Sequence, residues 1–141
     1  MQPVNTEDAD VLIVEDNSAI AELYALKLRM DGFRVEHAES AASAEQIFEQ
    51  TRPSVVCVDI RLPDASGADA APRFAERGSS VILLTNDQEG YERPPACVAL
   101  SMLKSRTSPS ELSEAIQSLM PQAKRQRPRW PNPNATPWGV A

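Results

Sequence analysis

Val11-Leu12-Ile13-Val14-Glu15-Asp16-Asn17 decides how the chain folds. Four apolar residues, three of them β-branched, stop on two carboxylates and an asparagine. A run this short and this rich in branched side chains is a strand buried on both faces, the kind found inside a parallel sheet. Asn17 or Ser18 caps the helix that follows, where Ile20, Leu23, Tyr24, Lys27 and Leu28 recur at helical spacing and mark the expected inward face. Gly32, able to take a left-handed conformation, stops that helix.

Working outward, the same pattern returns. Phe33 to Ala38 alternates apolar and polar residues, which places a second strand at a sheet edge. A helix from about Ala41 to Gln50 buries Ala44, Ile47 and Phe48. Val55-Val56-Cys57-Val58 is the third strand, and past a loop at 61–66 a helix runs over 67–77. Pro72 is expected near the first turn of that helix, where no intrahelical donor is lost. Val81-Ile82-Leu83-Leu84 is the fourth strand and Val98–Leu103 the fifth. Between them Gly90, Pro94 and Pro95 leave room for no more than a short helix or an irregular loop. Ser108-Pro109-Ser110-Glu111 is a capping box opening a last helix, whose inward face is Leu112, Ala115, Ile116 and Leu119 and which Pro121 ends. Five alternations of strand and helix predict an α/β fold, a parallel sheet with helices on both faces and right-handed crossovers.

The 141 residues fit one domain, and 42% hydrophobic with 24% charged residues excludes wholesale disorder and collagen-like repeats. No apolar run reaches the ~18 residues of a membrane span. The polar, acidic start lacks the apolar core of a signal peptide, so the expected location is the cytoplasm. Cys57 and Cys97 match no metal-ligand spacing and are expected as reduced, buried thiols. The net charge of −6 is unevenly placed. All 20 acidic residues lie at or before Glu114, whereas 121–141 holds Lys124, Arg125, Arg127 and Arg129 with no acid, five of the 12 prolines, and both tryptophans, Trp130 and Trp138. The expected organisation is an N-terminal extension at 1–9, a folded body at 10–120, and a basic, proline-rich, disordered tail at 121–141.

In a parallel sheet the strand C-termini share one edge, and ligands bind beyond it where strand order reverses. Here the four buried runs end in Glu15-Asp16, Asp59, Thr85 and Lys104. Three carboxylates against one ammonium leave two surplus negative charges, which calls for a hard divalent cation such as Mg²⁺. Lys104 and Thr85 would meet the far side of an anion as a point charge and a hydroxyl donor. Asp59, between metal and lysine, is placed as the nucleophile toward phosphorus, giving an acyl phosphate.

Val11–Asn17, the segment Val58-Asp59-Ile60-Arg61-Leu62-Pro63-Asp64-Ala65-Ser66-Gly67, Ile82–Thr85 and Leu103-Lys104 together resemble the receiver domain of bacterial two-component response regulators, over residues 10 to about 120. The resemblance implies a flavodoxin-like (βα)5 doubly wound sandwich of strand order 2-1-3-4-5. It implies phosphoryl transfer from a partner's phosphohistidine to Asp59, with Mg²⁺ held by Glu15, Asp16, Asp59 and the backbone carbonyl of Arg61. In this family the side chains at the positions of Arg61 and Asp87 overhang the phosphate, and the two are expected to pair across the pocket mouth. The departures fall elsewhere. Asn86 stands where a small residue follows the switch threonine and is expected to crowd the phosphate. Ser101 replaces an aromatic switch residue, and Ser105 replaces a cis-proline, so a trans bond is expected there. The residues of the chemistry are kept while those of a conventional output switch are replaced.

The reading is a stand-alone receiver, a phosphoacceptor signalling domain rather than an enzyme acting on an outside substrate. Its expected partners are a sensor histidine kinase or phosphotransfer protein and a downstream protein target, with a homodimer left open. His37, the lone histidine, is expected at the rim away from the reactive edge, so the phosphoryl donor is another molecule. No sequence-specific DNA binding is expected, since no such motif is present and the body is acidic. The alternative is an atypical receiver that binds proteins without phosphorylation. A dehalogenase-type phosphohydrolase needs a second acid two residues after the nucleophile, where Arg61 stands, and dinucleotide binding lacks its Gly-x-Gly-x-x-Gly turn.

Overall fold

The computed structural model describes residues 8–121. Alternation along the first strand sets the two layers. In β1 (Val11–Val14) every residue is buried, with Val11 and Ile13 packed into one core and Leu12 and Val14 into the other. The same division holds for β3 (Val55–Val58) and β4 (Ser80–Thr85). With β2 (Val35–Ala38) and β5 (Leu100–Leu103) they form one parallel sheet of order 2-1-3-4-5.

One face carries α1 (Ser18–Met30) and α5 (Pro109–Leu119), which bury Tyr24, Leu28, Leu112 and Ile116 against Ile13, Cys57 and Ile82. The other carries α2 (Ala41–Thr51) and α3 (Gly67–Glu76), whose Phe48 and Phe74 rings lie 5.1 Å apart over Val56 and Leu83. Arg77 stacks 4.4 Å above the Phe48 ring and pairs with Glu45 and Glu49, fastening α2 to α3. Asn17 caps α1 by accepting the Ile20 N–H, and both Ser40 and Ser108 close capping boxes. Gly32 takes φ 97° just after α1, a left-handed turn for which glycine is suited.

Several expectations need correction. Leu23 is not on the inward face of α1, which is built from Ala21, Tyr24, Ala25 and Leu28. Pro72 is the sixth residue of α3 rather than part of its first turn, so one intrahelical donor is lost there. β2 starts at Val35, because Arg34 N–H is taken by the Asp10 carboxylate before the ladder begins. β5 starts at Leu100, two residues later than expected, and it is an exposed to half-buried edge strand rather than a buried run. The proline-rich segment before it holds a single short helix, α4 (Gln88–Glu92). Cys57 is buried, with its thiol pKa pushed up to about 12 by burial, but Cys97 is only half-buried. The extensions at 1–7 and 122–141 lie outside the described residues. Among the described residues no helix is long and apolar enough to cross a membrane.

Candidate functional site

Register brings the strand ends together. Val14 of β1 pairs with Val58 of β3, Val58 with Leu83 of β4, and Thr85 with Leu103 of β5. The residues just beyond, Glu15-Asp16, Asp59 and Lys104, therefore emerge at one sheet edge. It is also where order reverses, since the chain leaves β1 toward β2 on one side and returns to β3 on the other.

The loop after β3 is folded back onto its own strand. Gly67 N–H donates to the Ile60 carbonyl at 2.8 Å, and a Cβ on Gly67 would stand 1.9 Å from the Asp59 carbonyl oxygen. Only glycine permits this approach, and it holds the Asp59 backbone in place. Arg61 and Ser66 bridge across the loop. Asp64 reaches the start of α2, accepting the Ala41 and Ala42 N–H groups at 2.8 and 3.0 Å, and those bonds hold its carboxyl below the usual carboxylate range.

Glu15 and Asp59 are buried and Asp16 is exposed, and each offers an oxygen within 4.8 Å of the others. Lys104 Nζ donates to Glu15 Oε1 at 2.8 Å and to Asp59 Oδ2 at 2.7 Å, with 12% of its side chain exposed. Burial pulls the Lys104 pKa down, but the bonds to Asp59 and Glu15 outweigh burial and hold it above its ordinary value. The second Glu15 oxygen, Oε2, accepts Asn17 N–H at 3.0 Å. Three hard oxygen donors with a net surplus of negative charge suit Mg²⁺, which favours carboxylate oxygen and retains waters.

The pocket mouth is framed by two further loops. Thr85 is buried at the end of β4, and its hydroxyl oxygen accepts Asp87 N–H at 3.1 Å, leaving the hydroxyl proton for another acceptor. Arg61 N–H points at Asp59 Oδ1 from 3.4 Å, while its guanidinium, 80% exposed with the side chain, meets Asp87 Oδ1 at 3.1 Å. The expected pair across the mouth thus forms. Asp87 is held below its usual pKa by the Gly90 N–H bond and then by Arg61.

Two expectations at the site change. Asn86 does not turn its carboxamide over the pocket; its Oδ1 accepts Ser105 N–H at 2.8 Å and straps the ends of β4 and β5 together. His37 is not remote, for its Nε2 lies 2.7 Å from the Glu15 carbonyl oxygen and so helps fix the first acidic residue. The peptide bond before Ser105 is trans, as expected, and Lys104–Arg106 forms a short 3-10 turn. Ser101, in the place of an aromatic switch, donates to the Tyr91 carbonyl at 2.9 Å and ties β5 to α4. Sequence reasoning missed the Asp64 cap on α2 and the bond from Tyr24 Oη to the Thr107 carbonyl at 2.7 Å, both contacts between distant segments.

Comparison with known proteins bears on this geometry. The family model for the response regulator receiver domain matches residues 11–117. Over 87 residues the chain is 33% identical to the probable transcriptional regulatory protein TcrX of Mycobacterium tuberculosis, covering 60% of this chain and 37% of that one. It is 32% identical over 122 residues to the transcriptional regulatory protein PdtaR of the same organism, covering 79% and 60%. The chain thus spans from about a third to three fifths of the lengths of these curated relatives. Among solved structures, a CheY-like receiver domain protein from Methanospirillum hungatei is similar with TM-score 0.72 and 22% identity, over 85% of this chain and 99% of that one. The response regulator TrrA from Thermotoga maritima, in complex with Mg²⁺-BeF, is similar with TM-score 0.71 and 25% identity, over 79% and 99%. With the sheet order, the acidic edge and a family match over nearly the whole described body in agreement, the chain belongs to the response regulator receiver domain family.

Proposed function

We propose that the chain is a Mg²⁺-dependent phosphoacceptor of two-component signalling, with residues 10–120 as the receiver unit and Asp59 as the acceptor. A carboxylate oxygen of Asp59 forms a bond to phosphorus while the P–N bond to a partner's phosphohistidine breaks. The imidazole keeps the electron pair and takes a proton from solvent. Glu15, Asp16, Asp59 and the carbonyl of Arg61 would hold Mg²⁺, which would supply positive charge against the phosphoryl oxygens. Lys104 exchanges its bond to Asp59 for one to a phosphoryl oxygen, and the Thr85 hydroxyl donates to another. The donor is a sensor histidine kinase or a phosphotransfer protein, and the signal leaves through altered protein contacts in the cytoplasm rather than by sequence-specific DNA reading.

The single observation that carries this reading is Lys104 bridging Glu15 and Asp59 beside a third carboxylate. A lysine at 2.7 Å from the acceptor already stands where a transferred anion needs a counter-charge. The similarity to TrrA, solved with Mg²⁺-BeF, supports the same site chemistry.

Incubation with Mg²⁺ and acetyl phosphate should add one phosphoryl mass, and the adduct should be absent from Asp59→Asn. Mg²⁺ at 100 times its dissociation constant should stabilise the fold by about 2.7 kcal/mol, and Asp16→Ala should blunt the gain. No adduct and no response to Mg²⁺ would sink the reading. The second reading, a receiver that binds proteins without phosphorylation, draws on the Asn86–Ser105 strap, which replaces the usual small residue and proline. It predicts partner binding that Asp59→Asn leaves intact.

A further inference from the structure

Four large hydrophobic side chains are exposed among the described residues, and three of them share one helix. Leu23, Leu26 and Met30 of α1 are 56%, 59% and 54% exposed. At 100° per residue they fall within an arc of about 60°. That arc lies opposite the buried Ala21, Tyr24, Ala25 and Leu28, so α1 is apolar on two faces and the sheet covers one. Scattered exposed leucines need no cause, but an aligned stripe of three marks a surface that something covers.

We infer that the occupant is the chain's own segment 122–141, with Trp130 or Trp138 laid on the Leu23–Leu26–Met30 stripe. Where that segment leaves the fold favours it. α5 packs beside α1, Ser113 Oγ donates to Asp31 Oδ2 just past the end of α1, and Met120 belongs to the same core cluster as Leu28 and Phe33. The chain therefore departs on the α5 side of α1, toward the end of α1 that carries Met30. Trp130 lies nine residues beyond Pro121, a reach of roughly 30 Å when extended, and Met30 to Leu23 covers roughly 10 Å of helix. Composition favours it too. Residues 122–141 hold both tryptophans, four prolines that lower the entropy lost on docking, and four cations without an acid, whereas residues 1–121 carry every acidic residue.

Both tryptophans lie in the segment, so tryptophan fluorescence of the full chain reads it without labels. Emission of the 141-residue protein should be shifted to the blue, and quenched less by acrylamide, relative to a synthetic peptide of residues 122–141. The shift should not depend on protein concentration. Leu26→Asp and Met30→Asp should each return the emission to that of the peptide. These sites are exposed, so the far-UV circular dichroism and melting temperature should hold, and Leu26→Ser serves if Leu26→Asp does not fold. Trp130→Phe and Trp138→Phe then show which ring docks. Emission equal to the peptide's, or a shift that survives both stripe variants, would overturn the inference. A shift that grows with concentration would overturn it in favour of a second copy as the occupant.

Discussion

Replacing Lys104 with methionine keeps most of the side chain and deletes its charge. The ammonium lies 2.8 Å from Glu15 Oε1 and 2.7 Å from Asp59 Oδ2, and both acids are buried. Without it, Glu15, Asp16 and Asp59 face one another with oxygens within 4.8 Å. A carboxylate pair at that spacing repels by about 3.5 kcal/mol at an effective dielectric of 20. Removing one partner of a buried pair costs about 3–5 kcal/mol by comparison with other proteins. Asp16 is exposed and solvent screens part of this, so the lower figure applies. About 3 kcal/mol corresponds to a fall of roughly 10–15 °C in melting temperature for a domain of this size. The assay is thermal unfolding at pH 7 in EDTA, with urea unfolding as a second measure. One recovery should follow. Mg²⁺ should stabilise Lys104→Met more than the parent, because no ammonium competes for the same oxygens. The alkaline side has its own sign. The folded pKa of Lys104 is raised above 10.5, so its contribution is complete below the unfolded value and is lost as pH rises through the folded one. The parent should lose stability there that Lys104→Met does not have. A variant that melts with the parent in EDTA at pH 7, or a gap that persists at strongly alkaline pH, would refute the reasoning.

Two other outcomes are expected. Gly67→Ala puts a methyl 1.9 Å from the Asp59 carbonyl oxygen, so backbone must move. It should lower stability by about 2 kcal/mol, read from the urea midpoint, and slow labelling by acetyl phosphate. Arg61→Ala should open the exposed pair with Asp87 at the mouth and, on the proposed function, admit water to the acyl phosphate. Dephosphorylation should quicken while the melting temperature changes little, exposed pairs being worth about 0–1 kcal/mol, and an unchanged half-life would remove the gating role.

What the sequence reveals follows the physics of each element. The strands are plain because a parallel strand covered on both sides must be continuously apolar, and Val11–Val14, Val55–Val58 and Val81–Leu84 are. Glu15, Asp16, Asp59 and Thr85 are plain because each ends or closely follows such a run, and Lys104 because it follows the less buried β5 at the sheet edge, where parallel register aligns the ends. Leu23 is misassigned because it sits three residues after Ile20, a spacing that the inward face and the outward stripe share. The His37 bond to the Glu15 carbonyl, the Asp64 cap on α2 and the Asn86–Ser105 strap have no periodic trace at all. Each joins a side chain to a backbone group many residues away, and only the closed sheet brings the two into reach.

The same closure has a consequence for the protein's birth. The bonds that Lys104 makes to Glu15 and Asp59 span 89 and 45 residues of chain. During synthesis the three acids emerge from the ribosome long before their ammonium does, and β5 must dock at the sheet edge before it arrives. A nascent or truncated product ending short of residue 104 therefore carries the three acids without the ammonium that pairs with two of them.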